Sequence, residues 1–190
     1  MPFDKEHLDS YFDRGIDLQN RRLFVGDIDD TTVTNIVKGL YLMETDNPKS
    51  PCEMFISSNG GEVCEAIALY DIIQTVKCPV HTFAYGKCIS AAPLLLAAGQ
   101  KGERWVSPHA IFMYHEASTG VEGGKLRDAV VALKHEQNMD DLWITLMADH
   151  TTKPVSFWKR LNAKPDYYFT ADDAIEWGIA DSIWVEKDHG

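Results

Sequence analysis

Three side chains whose chemistry could be joined into one reaction lie far apart in this chain: Ser90, His115 and Asp166. A serine hydroxyl becomes a nucleophile when a base takes its proton, and imidazole suits that task because it titrates near neutral pH. A carboxylate on the far ring nitrogen sets the tautomer and orientation of that base. Acyl transfer also needs N–H donors where negative charge develops on the substrate oxygen. Gly61 lies in the turn Asn59-Gly60-Gly61, where the missing side chain lets a substrate approach the backbone. Ala91 follows the serine directly. Each group also has a plainer reading. A serine opening a small apolar segment is commonly a helix N-cap. Lone histidines are mostly structural or superficial, an aspartate before aromatic residues is commonly just a turn, and Gly-Gly is commonly a plain loop. Spacing gives no distances, so the residues alone leave a Ser-His-Asp hydrolase as one option among these. The pattern Gly86-x-x-x-Ser90 is not the Gly-x-Ser-x-Gly elbow of α/β-hydrolases. A Ser-Lys dyad through Lys87 is conceivable, but that lysine is expected to face solvent.

The elements that must position these groups read as alternating strand and helix. Residues 22–26 form a strand ending at glycine. Asp29, Asp30 and Thr31 are N-cap candidates for a helix whose Val33, Ile36, Val37, Leu40, Tyr41 and Met43 follow helical spacing, and Asp46-Asn47-Pro48 ends it. A strand at 52–57 leads to a helix at about 62–76. A third strand, 80–84, turns at Gly86 into a buried helix that begins at Ser90. Short strands are expected at 105–106 and Ile111–Tyr114. This alternation argues for α/β layers around a largely parallel sheet. Right-handed crossovers would set the turns at Gly61 and Ser90 along one edge of it.

Further on, residues 118–124 are flexible by composition, and a helix follows over about 125–150. At 1.5 Å per residue it is about 40 Å long. Its apolar positions include Leu126, Val130, Leu133, Met139, Leu142, Trp143, Leu146 and Met147, with a break at His135-Glu136-Gln137. So long a helix is expected to project, leaving its apolar stripe in need of a partner chain. The plainer reading is a bent helix packed on its own domain. Lys153-Pro154 starts a short helix through Phe157, Trp158 and Leu161. Thr170 with Asp173 forms a capping box in which aspartate replaces the usual glutamate. The helix behind it stops at Gly178. Residues 1–20 have no clear apolar period and are expected to be a short, mobile or loosely docked segment. Residues 21–190 then form a single domain that includes the long helix.

Composition narrows the classes. The 190 residues are 45% hydrophobic and 25% charged, as in an ordinary globular domain. A net charge of −11 disfavours nonspecific contact with nucleic acid or anionic membrane. No apolar run reaches the length of a membrane span, and the polar, acidic N-terminus does not read as a signal peptide. Cys52, Cys64, Cys78 and Cys88 form no Cys-x-x-Cys pair and read as buried thiols of a reducing cytoplasm. The seven histidines lack ligand spacing, so neither metal nor cofactor is expected.

Taken as an ordered set, several segments resemble one family. They are Ser-Asn-Gly-Gly (58–61), Gly-Lys-Cys-Ile-Ser-Ala-Ala (86–92), Phe-Met-Tyr-His-Glu (112–116), Asp-Tyr-Tyr-Phe-Thr-Ala (166–171) and Ala-Ile-Glu-Trp-Gly-Ile-Ala-Asp-Ser-Ile (174–183). The resemblance is to the Clp protease proteolytic subunit family and covers about residues 20 to 185. It implies an α/β fold of the ClpP/crotonase-like type, a superhelical spiral with a projecting handle helix at about 125–150. It implies Ser90 as nucleophile, His115 as base, Asp166 as orienting acid, and the Gly61 and Ala91 amides as the oxyanion hole. Extended peptide would bind as an added strand along Gly60 and along Glu116, Ala117, Ser118 and Gly120. The implied assembly is a homo-oligomer of two stacked heptameric rings, fed by an AAA+ unfoldase. The chain departs from the family pattern in places. Ser57-Ser58-Asn59-Gly60-Gly61 stands for Asn-Ser-Pro-Gly-Gly, and Ser90-Ala91-Ala92-Pro93 for Ser-Met-Gly-Ala. Tyr167 stands where an arginine often joins ring-to-ring contacts. The ATPase-docking positions fall on Glu53, Phe55 and Thr75.

The expected function is a self-compartmentalised, cytoplasmic serine endopeptidase acting on unfolded polypeptides. Two alternatives belong to other classes: a non-catalytic ring subunit or scaffold, and a crotonase-like acyl-CoA enzyme, whose chemistry uses glutamates and does not need this serine.

Overall fold

An eight-stranded mixed sheet with helices on it organises the residues that the computed structural model describes, 11–116 and 125–184. Its strands are β1 (Ile16–Asp17), β2 (Arg22–Val25), β3 (Cys52–Ser58), β4 (Val80–Ile89), β5 (Arg104–Val106), β6 (Ile111–Tyr114), β7 (Tyr167–Phe169) and β8 (Ser182–Ile183). The path β1-β2-β3-β4-β5-β8 is parallel except for β1, and β6 branches from β4 with β7 antiparallel beside it. Strict alternation defines β3, where Cys52, Met54, Ile56 and Ser58 point inward. On the other face Phe24, Phe55 and Phe83 stand in register and stack, with ring centroids 5.5 and 4.9 Å apart.

The helices are α1 (Asp30–Asp46), α2 (Val63–Thr75), α3 (Ala92–Ala97), α4 (Leu126–His150), α5 (Val155–Asn162) and α6 (Ala171–Glu176). Asp29 caps α1 by accepting the Thr32 amide at 2.7 Å, and the helix buries Val33, Ile36, Leu40 and Met43 as its spacing requires. Thr170 and Asp173 form the reciprocal capping box of α6. Helix α4 runs unbroken through 135–137. Its second half buries Trp143, Ile144 and Met147, while Val130, Val131 and Leu133 in its first half are exposed. Among the described residues no helix is long and apolar enough to cross a membrane.

Four expectations are corrected. Strand β4 does not end at Ala84 but continues to Ile89, passing Gly86 at φ +64°. Ser90 does not begin a helix: α3 starts at Ala92, and no side chain caps it. Residues 11–20 are not loosely docked as a whole, since Ile16 is buried and pairs with Leu23. Of the four free cysteines, Cys64 is exposed rather than buried.

One buried charge ties the layers together. Arg104, 3% exposed, meets Asp181 through Nη2 at 2.6 Å and Nε at 2.8 Å. Its Nη1 donates to the carbonyls of Ala97 (3.3 Å) and His150 (2.9 Å), the C-terminal ends of α3 and α4. Asp181 also accepts the amides of Gly102 and Arg104. Partial burial opposes ionisation of Asp181, but the Arg104 guanidinium and these donors together hold its pKa below the ordinary 3.8. A depressed pKa contributes stability above the unfolded value and loses it as pH falls through the folded one. Asp181→Asn should therefore cost about 3 kcal/mol at neutral pH, as for a broken buried pair. Denaturant unfolding should show the gap from wild type narrowing as pH falls below 3.8.

Candidate active site

The site is built where β4 changes partner. Ile56 pairs with Ala84 but Ser58 with Cys88, so β4 carries two extra residues in a bulge around Gly86. Before the bulge β4 pairs with β5, Thr82 against Arg104; after it β4 pairs with β6, Ile89 against Met113. The Ser90 amide donates to Met113 O at 2.9 Å, and there the backbone leaves the strand at φ +58°. A non-glycine residue in that region costs of order 1–3 kcal/mol and signals an over-determined position. The result is a strand, a left-handed serine and a helix: the backbone device of a nucleophile elbow without its Gly-x-Ser-x-Gly signature.

Register then brings in the other two groups. Tyr114 of β6 pairs with Tyr167 of β7 in an antiparallel ladder, so His115 and Asp166 are the next residues out on each strand. Ser90 Oγ and His115 Nε2 are 2.7 Å apart. His115 Nδ1 and Asp166 Oδ1 are 3.4 Å apart, somewhat longer than a formed hydrogen bond. The Asp166 side chain is 57% exposed and that of His115 26%. With Nδ1 protonated, Nε2 accepts from the serine hydroxyl and Nδ1–H points at the carboxylate.

Gly60 lies against the serine, and Gly61 lies against the Ile28 backbone. The Gly60 amide donates to the buried Ser58 Oγ at 2.9 Å, which shapes the turn. A Cβ on Gly60 (φ +93°) would lie 2.6 Å from Ser90 Cβ and 3.0 Å from Ala91 N, so only glycine permits this approach. Ile28 N bonds Gly60 O and Glu62 N bonds Ile28 O, both at 2.9 Å. Neighbouring amides of an extended segment point to opposite sides, so the Gly61 N–H faces away from Ile28. Among the described residues neither it nor the Ala91 N–H makes a hydrogen bond. The Ala91 donor is one of the free amides that a helix start leaves.

A small cavity of about 20 Å³ opens beside the serine, lined by Val63, Ser90, Ala91, His115, Asp140 and Trp143. Glu116, exposed beyond His115, lines an adjoining cleft. Ala117, Ser118 and Gly120 lie outside the described residues. Asp140 and Trp143 were not singled out from sequence as site residues. Their signal was available, because Asp140, Trp143 and Met147 recur at i, i+3 and i+7 on the face of α4 that turns inward. What was missing was where that face lands.

A comparison with known families matches the chain as a whole. The family model for Clp protease aligns with residues 7–187, nearly the whole chain. The protein belongs to the Clp protease family.

Proposed function

We propose that this chain is a serine endopeptidase. The observation that carries the reading is the 2.7 Å approach of Ser90 Oγ to His115 Nε2 beside the Gly61 and Ala91 amides, which make no hydrogen bond among the described residues. In this reading His115 takes the hydroxyl proton as Ser90 Oγ attacks a peptide carbonyl. The carbonyl oxygen, now negative, is held by the Gly61 and Ala91 N–H groups. Asp166 keeps the proton on Nδ1 and stabilises the imidazolium. His115 then gives its proton to the leaving amine, and water releases the acyl group by the same relay. The 3.4 Å spacing at Asp166 suits a site at rest, since catalytic hydrogen bonds commonly tighten when substrate binds. Extended substrate would run as a strand past Gly60 and Glu116.

Assembly belongs to the same proposal. The fold is read as the superhelical spiral of the ClpP type, in one domain with α4 as its projecting handle. Exposed Val130, Val131 and Leu133 on α4 favour an interface between copies, within heptameric rings stacked in pairs that enclose the sites. The groove of Phe24, Phe55, Tyr85, Trp184 and Arg22 offers an AAA+ unfoldase an apolar seat, although Glu53 beside it is paired with Arg22 at 2.8 Å.

Ser90→Ala should abolish both peptide hydrolysis and labelling by a fluorophosphonate probe; retained hydrolysis would rule out this nucleophile. Asp166→Asn should lower kcat on the order of 10⁴-fold by favouring the wrong tautomer, read in steady-state kinetics. Val130→Asp with Val131→Asp should shift sedimentation velocity from large assemblies toward small species. An unchanged profile would show that this stripe is not an interface.

A further inference from the structure

Two buried thiols meet where β3 begins. Cys52 opens that strand, and Cys78 lies in the bend between α2 and β4, 26 positions away. Their sulfurs are 3.2 Å apart. We propose that Cys52 and Cys78 form an oxidation site, closed to a disulfide by hydrogen peroxide and reopened by thiols. The inference stands apart from the peptidase reading. A disulfide holds its sulfurs about 2.05 Å apart, so about 1 Å of closure remains, within reach of side-chain rotation. The backbones are already held beside each other. The Cys52 amide donates to Pro79 O at 2.8 Å, and Cys52 pairs with Val80 in the ladder of β3 and β4.

The two thiols differ in access. Cys78, 2% exposed, lines a cleft of about 510 Å³ whose polar walls include Gln74, Lys77, Gln100 and Lys101, whereas Cys52 is fully buried. Such a cleft admits water and peroxide, which places Cys78 first. Its thiolate attacks one peroxide oxygen and the O–O bond breaks. The departing hydroxide takes up the proton that Cys78 gave up and leaves as water, with a sulfenic acid on Cys78. The Cys52 sulfur then attacks the sulfenic sulfur, the S–O bond breaks, and a second water leaves with the Cys52 proton. The two thiols lose two electrons and the peroxide gains them. Burial, with the Cys78 contact, raises the Cys52 pKa, so at rest Cys52 stays a thiol. Arg21 Nη2, 3.5 Å from Cys52 Sγ, favours negative charge there during the attack. Arg21 is itself fixed by the carbonyls of Met43, Asn47, Ser50 and Pro51. The loop closed by the new bond contains the rest of β3, the Gly60-Gly61 turn and α2. The cross-link sits at the start of the seven-residue β3 and the candidate active site at its end, about 20 Å on. Oxidation therefore staples the crossover without entering that site.

Non-reducing peptide mapping tests this on the whole folded protein treated with hydrogen peroxide, its remaining thiols then alkylated in denaturant. The expected product joins the peptides carrying Cys52 and Cys78, two hydrogens lighter than their sum, and is lost on reduction with dithiothreitol. The closed protein should melt on the order of 10 °C above the reduced one in thermal unfolding, as for a loop of this length. Cys52→Ala should show no such rise with peroxide. The mapping needs no variant, so it decides the matter even if that substitution folds poorly. Recovery of Cys52 and Cys78 as alkylated thiols while the exposed Cys64 has been oxidised would overturn the proposal. So would arrest of Cys78 at the sulfinic acid, or a cross-link that forms only in denaturant.

Discussion

The pairing of β4 with two different strands is the constraint on which the rest depends. A parallel strand fixes its neighbour's position along its whole length, so one strand cannot place a residue beside two separate ladders without an irregularity. The two extra residues around Gly86 supply it. They let β4 leave β5 and run beside β6, and β6 in turn holds β7. Ser90, His115 and Asp166 are then the residues at which three adjacent strands run out. Their proximity follows from backbone hydrogen bonds rather than from any attraction among the side chains.

That arrangement requires strain at one position and close approach at another. Ser90 sits at φ +58°, and Gly60 packs against its Cβ and against the backbone of Ile89 and Ala91. Such a conformation persists only where its neighbours over-determine it. Here the amide of Ser90 is tied to Met113, while every residue of α3 behind it is buried. A helix so short has little stability of its own. Its burial against the sheet holds it, and it in turn leaves the Ala91 amide free at its start.

Helix α4 serves two surfaces. Its second half is locked to the sheet, with Trp143 and Met147 buried and the carbonyl of His150 held by Arg104. Its first half presents apolar residues outward. The locked half is also what brings Asp140 to the cavity, so the anchoring through Arg104 and the shape of the site are parts of one rigid connection. Asp166, more than half exposed, lacks comparable anchoring.

Local elements were legible in the sequence wherever a period or a cap had room to declare itself. The apolar spacing of α1, the bounds of α2, the capping box of α6 and the extent of α4 all read correctly, because each depends on residues within one or two turns. The family followed from ordered motifs. Strand β7 was not legible, because Tyr167–Phe169 is too short for alternation to distinguish a strand from a turn. The passage of β4 through Gly86 was missed for a related reason: a glycine inside a strand and a glycine ending one look alike until the partner strand is known. The chain by itself determined which chemical groups were available and which segments would be helical. Only the tertiary structure decided that Ser90 bonds His115 instead of capping a helix, and that Asp140 faces the cavity. Those outcomes depend on strand register, which is set by hydrogen bonds between residues dozens of positions apart.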